Sequence, residues 1–204
     1  MATIDGTIRF ETGKGGLCVI KSIVFFSWIA ICLFPNTAYA YSYDDDTLEI
    51  ISKVIPRLVL MSSQKNTLQK QIGVCVLYDD LDERDASLLI QKIRKNYPSG
   101  IKNYSLGLVM NKYNEMEGCR NSQITFMFDA DNKTIANAVR FLDKNRVFSM
   151  SYDPNYLDQG VEASLFLGRK VTPYINIGAL RRNGIELDNA LVQISKIYTP
   201  GDGR

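Results

Sequence analysis

The 204-residue chain contains no histidine. Imidazole is the usual general base near neutral pH, the usual partner of serine and cysteine nucleophiles, and the commonest side-chain metal ligand. Serine and cysteine triads and histidine-based zinc sites are therefore excluded. An excess of either charge is missing too: 24 basic residues stand against 22 acidic ones, a formal net charge of +2. With no long basic run, the chain carries no electrostatic footprint for nucleic acid. Also missing are GxGxxG, GxSxG and CxxC patterns. The cluster Gly13-Lys14-Gly15-Gly16 lies in a segment expected to be removed. No enzyme activity, no cofactor and no metal is expected from this inventory.

What is present begins with SIVFFSWIAICLF, an uncharged run of thirteen residues over 22–34. As a helix it would span about 20 Å, short of the roughly 30 Å hydrocarbon core of a bilayer, so stable membrane insertion is not expected. A secretory signal fits better. Lys14 and Lys21 supply the positive flank, Pro35 and Asn36 break the helix, and Ala38-Tyr39-Ala40 puts small residues at the two positions a signal peptidase needs. Ala38 and Ala40 thus mark cleavage before Tyr41, dividing the chain into a signal peptide, 1–40, and a mature domain, 41–204. The expected location is the periplasm.

Cleavage removes Cys18 and Cys32 and leaves Cys75 and Cys119, 44 positions apart. In an oxidising compartment such a pair reads as one disulfide; in a cytosol it would be free thiols or ligands. Closing a loop of that length is worth roughly 4 kcal/mol in the chain-entropy model.

The mature part alternates between strand and helix patterns. Asp44-Asp45-Asp46-Thr47 reads as capping sequence before Leu48, Ile51, Ile55 and Leu58 at helical spacing, with Pro56 expected to kink or shorten that helix. Ile72 to Tyr78 reads as a strand, and Asp85 as the cap of a helix carrying Ala86, Leu89, Ile90 and Ile93. A second strand is expected from about Tyr104 to Met110 and a third from Gln123 to Phe128. Asp131 then caps a helix through Ile135, Ala138, Val139 and Leu142, and Val147 to Ser151 forms a fourth strand. The alternation implies a single α/β domain: a mixed, largely parallel sheet with helices on both faces. Val161 to Leu167 and Lys170 to Ile177 read as an antiparallel hairpin whose second strand Pro173 confines to an edge or bulge. Helical segments at Gly178 to Asn183 and Leu187 to Tyr198 close the domain.

Two groups could line a binding surface. Asp79 and Asp80 fall just past the first strand, where open α/β sheets place their crevices. Tyr152, Tyr156 and Tyr174 could line a groove, although such tyrosines also serve as the rim of a core. Near the end, Asn176 can bond neighbouring backbone and Gly184 suits a left-handed helix stop, both structural roles. Arg181 and Arg182 between them could face a partner.

With these residues in view, the sequence resembles the YfiR-type family of periplasmic proteins. The resemblance rests on the strand Val74-Cys75-Val76-Leu77, on Cys119 ahead of Ile124-Thr125-Phe126-Met127-Phe128, and above all on the closing run from Tyr174 to Leu187, YINIGALRRNGIEL. It implies an exported, non-catalytic regulator that binds the periplasmic sensor part of an inner-membrane diguanylate cyclase and represses it, thereby controlling cyclic di-GMP and biofilm formation. It leaves room for a homodimer, and it implies pairing of Cys75 with Cys119. The chain departs from the family in ending its first helix region Arg57-Leu58-Val59-Leu60-Met61 without an aromatic-Trp-Pro sequence, and in lacking a second cysteine pair. The alternative is a periplasmic small-ligand binder or transport accessory protein that uses the crevice beside Asp79 and Asp80.

Overall fold

The computed structural model describes residues 43–199. Ala38 and Ala40, with the rest of the expected signal segment, lie outside the described residues. The elements are α1 (Asp45–Leu60), β1 (Gln71–Tyr78), α2 (Glu83–Asn96), β2 (Ser105–Lys112), β3 (Ile124–Met127), α3 (Asn132–Asn145), β4 (Phe148–Ser151), β5 (Ala163–Leu167), β6 (Val171–Asn176), α4 (Ile177–Asn183), α5 (Asn189–Ile194) and β7 (Lys196–Tyr198). The seven strands form one sheet in the order β2-β1-β3-β4-β5-β6-β7. Every neighbouring pair is parallel except β5 and β6, which form an antiparallel hairpin. This is an α/β domain with a mixed, largely parallel sheet.

Period-two alternation divides the central strands between two cores. Val74 and Val76 of β1, Ile124 and Phe126 of β3, and Phe148 and Met150 of β4 pack with Ile51, Ile55 and Val59 of α1 and Leu89 and Ile93 of α2. Cys75, Leu77 and Met127 point the other way, onto Ile135, Ala138 and Leu142 of α3. Burial on both faces is why β1 reads as an apolar run. Cys75 and Cys119 are disulfide-bonded, with Cα atoms 5.4 Å apart, and both are fully buried.

Several boundaries differ from the sequence reading, each for a physical reason. Asp85 does not cap α2. A short 3₁₀ turn, Asp80–Asp82, runs directly into the helix, so Asp82 holds the cap position and Asp85 falls in the first turn. Pro56 does not shorten α1, which continues to Leu60 with Pro56 buried inside it; packing overrides the local cost of the lost N–H. The segment expected to be one helix over Leu187–Tyr198 divides into α5 and the strand β7. The latter pairs in parallel with Tyr174, Ile175 and Asn176 and so places β6 inside the sheet. Pro173 sits just outside that paired span, opposite Leu165 on the hairpin side, so its missing N–H costs no ladder bond to β7.

A buried polar network ties β4, β5 and α4 together. Glu162, fully buried, accepts hydrogen bonds from Ser149 N (2.7 Å) and Ser149 Oγ (3.2 Å), and from Asn183 Nδ2 (2.9 Å). Asn183 Nδ2 also reaches Val147 O at 3.3 Å. Burial drives the Glu162 carboxyl up to about 7, against the opposing pull of those donors. Among the described residues no helix is long and apolar enough to cross a membrane, and no group of acidic or cysteine side chains could hold a metal ion.

Candidate functional site

In the order β2-β1-β3-β4-β5 the chain leaves β1 in opposite directions, to β2 on one side and to β3 on the other. Such a reversal opens a crevice outside the carboxyl ends of the two central strands. A cavity of about 360 Å³ lies there, lined by Asp79 and Asp80 after β1, Lys112 and Tyr113 after β2, and Thr134 and Asn137 of α3, together with Asn114 and Met116.

Each wall has a local cause. Asp79 accepts from Asp80 N (2.8 Å) and starts the 3₁₀ turn, which leaves Asp80 exposed and ion-paired to Lys112 Nζ at 2.6 Å. The hydrogen bond and charge of Asp80 hold the Lys112 ammonium above its ordinary range. The wall from Tyr113 to Cys119 is a 3₁₀ segment anchored at its far end by the disulfide. On the opposite side Asp131 caps α3, accepting from Lys133 N (2.9 Å) and Thr134 N (3.1 Å).

Three tyrosine hydroxyls, one of them from the lining residue Tyr113, fix the loop that follows β3. Tyr113 donates to Phe128 O (2.5 Å), Tyr43 donates to Asp129 Oδ1 (3.0 Å), and Tyr156 both donates to Ala130 O (3.0 Å) and accepts from Ala130 N (3.1 Å). Acidic side chains gather around the same loop. Burial, reinforced by the charges of Asp129, Asp85 and Asp79, raises the Asp82 carboxyl to about 6. Asp129 and Asp153 are likewise raised by burial. Burial also lifts the Tyr113 and Tyr43 hydroxyls far above the usual phenol range, so both remain donors.

The residues singled out in the sequence fall in different places. Asp79 and Asp80 share the crevice. Tyr152, Tyr156 and Tyr174 do not form one groove: Tyr152 stacks near Tyr43 (5.8 Å between centroids), Tyr156 holds Ala130, and Tyr174 packs on Phe166 (6.0 Å) beneath Lys196. Asn176 sits at the start of α4, accepting from Ala179 N (3.0 Å) and donating to Leu157 O (2.9 Å). Gly184 ends α4 in the left-handed region with φ +69°. Arg181 and Arg182 are exposed in the last turn of α4, away from the crevice lining. Lys112, Tyr43 and Tyr113 were not legible as site residues, because their partners Asp80, Asp129 and Phe128 are remote in sequence; Tyr156 was singled out, but for a groove and not for its hold on Ala130.

No family model matches the chain, and no curated protein matches it in sequence. Solved structures do match in fold. A conserved domain protein from Vibrio cholerae O1 biovar El Tor strain N16961 superposes with a TM-score of 0.54 at 13% identity, over 74% of this chain and 60% of that one. An ABC domain from Streptococcus pneumonia in complex with L-Trp gives 0.51 at 8% identity, over 72% and 60%. CD0873 from Clostridium difficile, a substrate binding protein with adhesive properties in its ligand-free, open structure, gives 0.52 at 6% identity, over 78% and 61%. The likeness is one of fold, and this chain spans about three-fifths of the length of each of these structures.

Proposed function

We propose that this chain is an exported, non-catalytic binding protein that takes a small polar ligand in the crevice between Asp80–Lys112 and α3. The observation that carries this reading is the place of the crevice. It lies at the chain reversal of an α/β sheet, with a carboxylate, an ammonium and side-chain amides converging on about 360 Å³. The fold it shares with a substrate binding protein and with a tryptophan-bound domain points the same way. The buried disulfide fits an oxidising compartment, and with the leader expected over 1–40 it supports a periplasmic location. The crevice acids already have partners, Asp79 in its turn and Asp80 with Lys112, and the reading assigns them recognition without bond-making.

A second reading, repression of the periplasmic sensor of an inner-membrane diguanylate cyclase, draws on the YfiR-type resemblance. A specific feature favours it: Phe166, Val171, Ile194 and Ile197 stand exposed in the stretch from β5 to β7, flanking the closing segment that carries the resemblance. Thermal unfolding of the mature protein against a panel of amino acids and other small polar metabolites separates the two. A saturable rise in melting temperature that Asp80→Ala together with Asn137→Ala abolishes is the expected result. No shift with any metabolite, together with capture of a membrane cyclase from envelopes, would replace the first reading with the second.

A further inference from the structure

We propose that β2 is a self-pairing edge, through which two copies of this chain join their sheets about a two-fold axis at Val109. The sheet has two outer edges, and they are unlike. The β7 edge is three residues long and begins with a lysine, a short and charged edge of the kind that resists pairing. The β2 edge is eight residues long, SLGLVMNK, and its one charge stands at its last position. No bulge interrupts its register with β1, and among the described residues no other strand covers its far side.

The direction of its polar groups follows from one bond. Ser105 N donates to Lys70 O, toward β1, so by alternation the N–H and C=O of Leu106, Leu108, Met110 and Lys112 point outward. An antiparallel mate satisfies all of these outward groups when Val109 faces Val109 of the second copy: Leu108 then exchanges bonds with Met110, and Leu106 with Lys112. In this register every residue meets one on the same face of the sheet. The apolar pairs Leu108 with Met110 coincide, and Lys112 meets no like charge. Val109, 38% exposed, finds its cover in its own mate. Beside the strand, on the α2 side, a groove of about 630 Å³ lined by Arg94, Tyr97, Leu106 and Leu108 has room for the mate's side chains. Because the paired strands are antiparallel, the two crevices lie at opposite ends of the joined sheet. The second copy is favoured over an unrelated strand because this one register satisfies the outward groups of both strands, sets Leu108 against Met110, and places no like charges face to face.

Sedimentation velocity of the mature protein over a range of concentrations tests this. The expected result is a reversible monomer–dimer equilibrium. Val109→Glu and Val109→Lys each set like charges face to face and weaken the dimer at least about tenfold, while an equimolar mixture of the two restores it. Position 109 is partly exposed, so both variants keep the wild-type melting profile at low concentration. A wild-type chain that stays monomeric throughout, or single variants that dimerise as the wild type does, would overturn the proposal.

Discussion

Tyr43 and Asp129, 86 positions apart, meet in a hydrogen bond of 3.0 Å that ties the residue before the N-cap of α1 to the loop leaving β3. The tyrosine ring is buried against Phe128, with centroids 4.5 Å apart, so its hydroxyl is placed by packing before it is used for bonding. The bond also opposes the burial that raises the Asp129 carboxyl. Tyr43→Phe keeps the ring and removes the donor, leaving Asp129 half-buried with less compensation. The expected cost is about 1 to 3 kcal/mol in urea denaturation, with the Asp129 carboxyl moving further up in an NMR titration. An unchanged midpoint would mean that water replaces the hydroxyl without loss.

The disulfide offers a second test with a different readout. Both sulfurs are fully buried, so alkylating reagents added to the native oxidised protein should label neither cysteine until the chain unfolds. Cys75→Ala together with Cys119→Ala should lower the unfolding free energy by about 2 to 5 kcal/mol, mainly by freeing the 44-residue separation in the unfolded chain. The wall from Tyr113 to Cys119 is anchored by the same bond. Hydrogen exchange in the double variant should therefore quicken there first.

How much of this was legible beforehand depends on the range of the cause. The strand β1 and the cap Asp131 announce themselves locally, one by an apolar run of strand length, the other by its place ahead of the spaced set Ile135, Ala138, Val139 and Leu142. The strand β7 does not. Leu191, Ile194 and Ile197 follow one another at helical spacing, and only pairing with Tyr174 to Asn176, some twenty positions back, pulls the last of them into the sheet. The crevice shows the same division. Asp79 and Asp80 could be placed because they end a visible strand, whereas Lys112 needed β2 to run two residues past its expected stop at Met110. The three tyrosine anchors reach across 15, 26 and 86 positions, and no local pattern encodes such contacts.

Glu162 predicts the pH dependence of stability, and the sign can be fixed. An ordinary unfolded glutamate titrates near 4.5 and the folded one near 7, so between those values the native state holds a proton that the unfolded state has lost. Stability is therefore fully supported below the unfolded value and declines as pH rises toward 7, by an amount of order 3 kcal/mol. Glu162→Gln removes the titration. Its amide nitrogen must face either the Ser149 donors or Asn183 Nδ2, so the variant is weaker than wild type in acid while its stability is flatter with pH. Denaturation midpoints at pH 4.5, 6 and 7.5 measure both effects. A wild-type stability that climbs through this interval would contradict the assignment.

The end of α4 isolates a backbone effect from any packing effect. Gly184 has φ +69°, and a methyl group added there meets nothing within 4 Å. Gly184→Ala therefore costs only the strain of the left-handed region, about 1 to 2 kcal/mol. Gly184→Asn should recover part of that, since asparagine tolerates the conformation better. The loss should fall on the closing segment, where Gly184 is followed by Ile185, whose N–H bonds Leu180 O at 2.9 Å. If alanine proves harmless while asparagine destabilises, the helix ends by some means other than this turn.

The crevice itself gives the last prediction, in which stability and recognition should separate. Lys112 and Asp80 are both substantially exposed, so their ion pair contributes little to folding despite its 2.6 Å contact. Lys112→Ala should leave the denaturation midpoint within about 0.5 kcal/mol of wild type. In the crevice, however, the ammonium is the sole cation among the described lining side chains, beside the carboxylates of Asp79 and Asp80. Its removal leaves a one-signed rim, so any ligand with an anionic group should bind at least about tenfold more weakly, and one with only a cationic group more tightly. Calorimetric titration of wild type and Lys112→Ala with such a pair of ligands reads the difference directly. A variant that loses stability and ligand response in proportion would show that Lys112 supports the fold and has no separate part in recognition.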